Sequence, residues 1–134
     1  MRIVLDTNVF ISGIFFTGPP HKILKAWHEG HIKIVASAEI LEEYKRVGEE
    51  LSEQFPGVAL EPFLALLAIG AEIVLAPELT EQVCADPEDD KFVACALAGR
   101  CKVIVSGDKQ LKRVSGYRGV EIISPRVFLD RHLA

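Results

Sequence analysis

Five short apolar runs limit most how this chain can fold: RIVL at 2–5, HIKIVA at 31–36, EIVL at 72–75, KVIV at 102–105 and VEII at 120–123. They are rich in β-branched residues and read as buried strands. Longer stretches with apolar residues at helical spacing lie between them. Apolar strands alternating with helices bury both faces of a sheet, so the expected fold class is α/β with a mostly parallel sheet covered on both sides.

The helical stretches carry their own punctuation. Residues 8–16 are apolar at mixed spacing and end at Gly18-Pro19-Pro20. Pro20 suits the first turn of a second helix, with Ile23, Leu24 and Trp27 on one face and Gly30 closing it. Ser37 is a natural N-cap for a helix carrying Ile40, Leu41, Tyr44, Val47 and Leu51, weakened at Gly48 and ended by Pro56-Gly57. A further apolar-striped helix spans 58–69, and Asp86-Pro87 opens another that runs to about Gly99. A short helix is expected over 108–114, and Ser124-Pro125 starts a last one with Val127, Phe128 and Leu133. At 134 residues, without repeat or linker, one domain over 1–134 is expected.

Composition narrows the function. Hydrophobic residues at 49% and charged residues at 25% are a globular balance. The three cysteines, Cys84, Cys95 and Cys101, form no CxxC pair and suit reduced core thiols. No apolar run approaches the ~20 residues of a membrane span. Asp6 comes too early for a signal peptide, so the cytoplasm is the expected location. The net charge of −4 lacks the basic excess of a whole-protein nucleic-acid footprint. Contact with nucleic acid then needs a local basic patch, or metal ions that invert the charge of an acidic pocket.

The acids are placed suggestively. Asp6 directly follows the first strand, and Asp108 follows the fourth with only Ser106-Gly107 between. Asp86, Asp89 and Asp90 crowd one helix start, and Glu42 and Glu43 lie one to two turns into the helix after the second strand. Ligand sites of open parallel sheets form outside the carboxyl ends of the strands, where these segments converge. Taken one at a time, first-turn acids are ordinary helix caps and Glu42 and Glu43 ordinary solvated residues. Together, carboxylates raise one another's pKa, and a hard divalent ion relieves the conflict. Oxygen ligands suit Mg2+ or Mn2+, and two such ions about 3.5–4 Å apart suit phosphodiester cleavage. The four histidines show no zinc-ligand spacing.

The segments IVLDTNVFISG, SAEILEEYKRV, DPEDDKFVACALAG and VIVSGDKQL resemble, in order, the signatures of PIN-domain nucleases, nearest to the VapC-like toxins of toxin-antitoxin systems. The resemblance implies a three-layer α/β/α sandwich with a five-stranded mostly parallel sheet. It also implies an endoribonuclease dependent on Mg2+ or Mn2+, acting on single-stranded or structured RNA. A cognate antitoxin protein and a homodimer are implied as partners, although family members also act in RNA processing. Carried over by position, Asp6 is the first family acid, Glu43 matches the second better than Glu42, and Asp108 is the last. For the third, counting back from Asp108 favours Asp90, with Asp89 a close competitor through the D-x-x-D form. Catalysis is thus assigned to Asp6, Glu43, Asp90 and Asp108, with Asp89 added among the metal ligands. Asn8 and Ser106 match polar positions that orient the acids.

Lys91, Lys109, Lys112 and Arg113, with Arg118 beyond, form the expected RNA-backbone rim; a solvated helix face is the plainer reading of the same residues. Phe15, Phe16 and Trp27 suit packing better than base stacking, and the apolar content of 8–16 and of EPFLALLAIG is consistent with a dimer or with core burial. Two other classes compete. A catalytically silent PIN-like module would bind RNA or antitoxin without cleaving. A receiver-like phosphoacceptor domain would need an Asp after its middle strand, and the segment after EIVL is Ala-Pro-Glu.

Overall fold

Strand β1 (Arg2–Leu5) is the middle of a five-stranded, all-parallel sheet. The computed structural model describes residues 1–133. Ala134, the last residue of the expected domain, lies outside the described residues. The other strands are β2 (Lys33–Ala36), β3 (Glu72–Ile73), β4 (Val103–Val105) and β5 (Glu121–Ile123), in the order β3-β2-β1-β4-β5. Ile3, Val4 and Leu5, and likewise Ile34, Val35 and Ala36, are fully buried, as a sheet covered on both faces requires.

The chain moves from β1 outward through β2 to the β3 edge, then returns to place β4 on the other side of β1. Right-handed crossovers send the first two connections over one face of the sheet and the later two over the other. The order reverses between β1 and β4, where Leu5 pairs with Val105. The crevice at such a reversal is where open parallel sheets bind their ligands.

Helix α1 (Thr7–Phe15) explains the mixed spacing of its sequence. It packs against both α2 (Pro19–His28) and α3 (Ala38–Ser52), and Val9, Phe10, Ile11, Ile14 and Phe15 are all buried. Gly13 permits the approach of α2, because a Cβ there would lie 2.6 Å from Leu24 Cδ1. Ser37 caps α3 as expected, accepting from the Ile40 amide at 3.4 Å. Gly48 is a packing requirement as well as a weak helix former: a Cβ would meet Leu60 Cδ1 at 3.0 Å.

Two elements differ from expectation. Helix α4 (Glu61–Gly70) begins later than 58, and Leu67 is its one buried residue. Strand β3 is shorter than 72–75, because an edge strand has a partner on one side only, although the Val74 amide still reaches Ala36 O at 2.9 Å. A 3-10 turn (Pro87–Asp89) leads into α5 (Asp90–Ala98), which crosses β1, β2 and β4. Helix α6 (Lys109–Lys112) and helix α7 (Pro125–Phe128) complete the chain with a wider turn over Leu129–Leu133. Among the described residues no helix is long and apolar enough to cross a membrane.

Candidate functional site

The carboxyl ends of β1 and β4 carry the floor of the site. Asp6 donates its amide to Val105 O at 2.9 Å, while its carbonyl accepts from Val9 and Phe10 to start α1. The residue is 7% exposed, and its carboxylate Oδ2 accepts from Ser106 Oγ at 2.6 Å. Ser106 is fully buried and uses the same hydroxyl to accept from the Asp108 amide at 3.0 Å. One serine thus fixes the first acid relative to the last. Burial raises the pKa of Asp6, and the Asp108 and Glu43 carboxylates raise it further, against the Ser106 hydroxyl and the Thr7 amide that lower it.

Asp108 stands exposed over this floor and caps α6, accepting from the Gln110 amide at 2.8 Å through Oδ1. The capping reading and the site reading therefore hold together, since a carboxylate has a second oxygen.

Glu43 arrives from α3. The position of that helix is set by Tyr44, fully buried and stacked on Phe10 with ring centroids 4.4 Å apart. Burial holds the Tyr44 phenol protonated well above its ordinary range, and it donates to Leu5 O, the carbonyl just before Asp6. Glu43 itself accepts from Thr7 Oγ1 and pairs with Lys91 Nζ at 2.6 Å. Glu42, one residue back, is exposed and makes neither contact.

The structure separates the two candidates for the third acid. Asp90 turns toward the preceding loop, where its two oxygens accept from the amides of Cys84 at 2.7 Å and Val83 at 3.2 Å. Asp89 makes no such contact among the described residues. Its pKa is pushed up to about 6, chiefly by burial and then by the charges of Asp6, Asp86, Asp108 and Glu43. Asp90 anchors the loop while also lining the pocket beside Glu43.

Asn8 is exposed, and among the described residues its side chain makes no hydrogen bond to an acid. Thr7, one residue earlier and buried, donates to Glu43. Thr7 and Tyr44 were missed in the sequence; the signal available for Tyr44 was a hydroxyl on the buried stripe of an otherwise apolar helix face. Lys91 belongs to the acid pocket through Glu43 and Glu88, whereas Lys109 and Arg113 stand exposed beside Asp108. Phe15 is buried against Phe55, and Phe16 meets the same ring edge-on, so the packing reading of these aromatics holds.

Asp6 and Asp108, joined through Ser106, offer oxygen donors of the type a hard divalent cation takes. Among the described residues no three such side chains stand close enough to form a finished metal cage. Closure would require rotation of exposed carboxylates such as Asp108 over the fixed Asp6. Beside Glu43 a cavity of ≈ 610 Å³ opens between α3 and the 76–88 loop, lined by Glu39, Glu42, Glu78, Glu81 and Glu88 among others. Six glutamates and Asp90, against Arg46 and Lys91, leave its walls net acidic.

The sequence profile of the PIN domain matches residues 2–110, a span that contains all the candidate acids. An uncharacterized protein of Methanocaldococcus jannaschii is 32% identical over 115 residues, which cover 83% of this chain and 73% of the relative.

Proposed function

This chain belongs to the PIN-domain family, whose fold is of the nuclease type, and from that premise we propose that it is a metal-dependent endoribonuclease. The observation that carries the reading is the hydrogen-bond chain in which Ser106 donates to Asp6 and accepts from the Asp108 amide, joining the first and last acids at the β1–β4 crevice. Bound there, Mg2+ or Mn2+ would supply Lewis acidity for in-line hydrolysis of a phosphodiester. Asp6 is held by Ser106, and Asp108 keeps one carboxylate oxygen beyond its cap on the Gln110 amide. No serine or cysteine nucleophile is required; Cys84 and Cys95 are buried, and burial pushes their thiols up to about 12, far from thiolate at neutral pH.

The substrate is proposed to be RNA, reaching the acids from the α6 side. The α3 side is walled with glutamates, whereas Lys109, Lys112 and Arg113 follow directly on Asp108. Replacing Lys112 and Arg113 together by Ala is expected to weaken RNA binding at low salt and to lower the slope of log K against log salt by about 1–2. Filter binding over a salt series measures this; an unchanged slope would return both residues to a solvated surface.

The toxin role and a cognate antitoxin are proposed from the motif resemblance, with a cytoplasmic location and one domain over 1–134. A homodimer is proposed on a surface argument. Burial of α1 absorbs the apolar content of 8–16, but α4 and the β3 edge leave Ile69 86% and Leu75 92% exposed. Exposed apolar edges of this kind are normally covered. Leu75→Glu is expected to convert a dimer to a monomer in sedimentation equilibrium, and a wild-type chain that sediments as a monomer would refute the dimer.

The test of the function is a cleavage assay on single-stranded and structured RNA, with Mn2+ and with chelator. Metal-dependent cuts are expected. Binding without cleavage in either condition would favour the silent RNA-binding module instead.

A further inference from the structure

Asp6 sits where the chain changes from strand to helix: its own backbone is not helical (φ −58°, ψ 146°), and Thr7 begins α1. The placing of its carboxylate therefore depends on how the Leu5–Asp6 peptide unit is held. That unit is planar and rigid, with one donor and one acceptor. Its N–H donates to Val105 O at 2.9 Å, and its carbonyl, Leu5 O, accepts from the Tyr44 hydroxyl. On the β4 side the strand pairing runs on to Leu5 and Val105, but on the β2 side it ends at Ile3 and Ile34. A side chain from α3 thus supplies the bond that a strand neighbour does not.

Tyr44 is firmly seated for this. It is fully buried, and its ring stacks on Phe10 of α1 with centroids 4.4 Å apart. A phenylalanine would fill the same space, so what the hydroxyl adds is the bond to Leu5 O. Glu43, the residue before it on α3, accepts from Thr7 Oγ1. Adjacent residues of one helix thereby grip the two residues that flank Asp6, while Ser106 holds its carboxylate.

We propose that Tyr44 is a positioning residue, whose hydroxyl fixes the Leu5–Asp6 peptide plane and through it the seat of the Asp6 carboxylate on Ser106. Its consequence for the reaction rests on the ribonuclease reading above. Without the hydroxyl, the Leu5 carbonyl is left buried and unpaired, the plane is pinned on the β4 side alone, and the Asp6 side chain moves with it.

Tyr44→Phe, which keeps the ring, tests this on the full chain. By nuclear magnetic resonance in metal-free buffer, amide exchange at Asp6 is expected to quicken about tenfold or more. The Ser106 and Glu121 amides, which donate to Ile123 O and Lys102 O, should stay within about twofold. On RNA with Mn2+, kcat is expected to fall about 10- to 100-fold with KM within about twofold. Unchanged exchange at Asp6, equal quickening at all three amides, or an unchanged kcat in a protein that cleaves overturns the role given to Tyr44. Should Tyr44→Phe not fold by circular dichroism, the wild type carries the test. Its Tyr44 hydroxyl proton and Asp6 amide should then show protection within about tenfold of each other, and a freely exchanging hydroxyl beside a protected amide overturns the proposal. A wild type that cleaves no RNA takes down the ribonuclease reading, and exchange at Asp6 still decides whether Tyr44 holds that peptide.

Discussion

Asp6→Asn is expected to lower RNA cleavage by roughly 10^3-fold or more while the protein stays folded. A carboxylate that orients a catalytic ion carries several kcal/mol of transition-state stabilisation, and each 1.36 kcal/mol is about tenfold in rate. The fold has little reason to suffer. Asn is isosteric, and its amide oxygen can still accept from Ser106, the partner at 2.6 Å in the wild type. The substitution also removes a charge that burial disfavours, since the Asp6 pKa is raised. In metal-free buffer the variant should therefore melt no lower than wild type. Cleavage kinetics and a circular dichroism melt on the same samples check both halves. Metal-dependent cleavage retained in Asp6→Asn would remove Asp6 from the mechanism.

Asp89→Asn should produce a comparable loss of cleavage together with a gain in metal-free stability. In the folded protein burial pushes the Asp89 carboxyl up to about 6, from the 3.8 ordinary for aspartate. Between those values the folded state holds a proton that the unfolded chain has released, so wild-type stability falls as pH rises from about 4 to 6 and then stays level. A shift of roughly two units corresponds to about 3 kcal/mol, reduced to about 1–2 kcal/mol by partial exposure. Asp89→Asn should flatten that part of the pH profile and raise the melting temperature at pH 7 in chelator. Mn2+ should stabilise wild type but not the variant. Asp90→Asn gives the opposite pattern: it places an amide against the Val83 or Cys84 N–H and costs about 1–3 kcal/mol. Denaturant melts across pH 4–8 for the two variants distinguish the neighbours. Equal behaviour would undo the distinction between Asp89 and Asp90.

That distinction also marks where sequence reading stopped. The five strands were legible because apolar runs such as RIVL and KVIV have no other way to bury both faces, and the acids at strand ends followed from them. Ser106 was legible for the same reason, lying between a buried strand and Asp108. The strand order was not, because nothing local says that β4 returns beside β1; yet that pairing joins Asp6 to Ser106 across 100 residues. Adjacent residues at a helix entry point about 100° apart. Whether position 89 or 90, or 7 or 8, faces the crevice therefore depends on the exact entry angle of α5 or α1. For Asp90 the decision came from two loop amides, at 83 and 84, which carry no side-chain signal at all. Lys91 was read as part of an RNA rim because its charge is visible in the sequence and its partner, 48 positions earlier, is not.

The spare apolar stripe shows the same limit from the other side. Two segments were equally generous with apolar residues. Only tertiary packing decides that α1 is consumed by the core while α4, with Leu67 alone buried, is not.

A hard divalent ion is expected to bind at the carboxylates of the β1–β4 crevice. The most direct measurement is the anomalous scattering of Mn2+ in crystals grown with that ion. A peak is expected within reach of the Asp6 and Asp108 carboxylates, the pair that Ser106 joins. A peak elsewhere on the surface, or none at this crevice at saturating Mn2+, would contradict it.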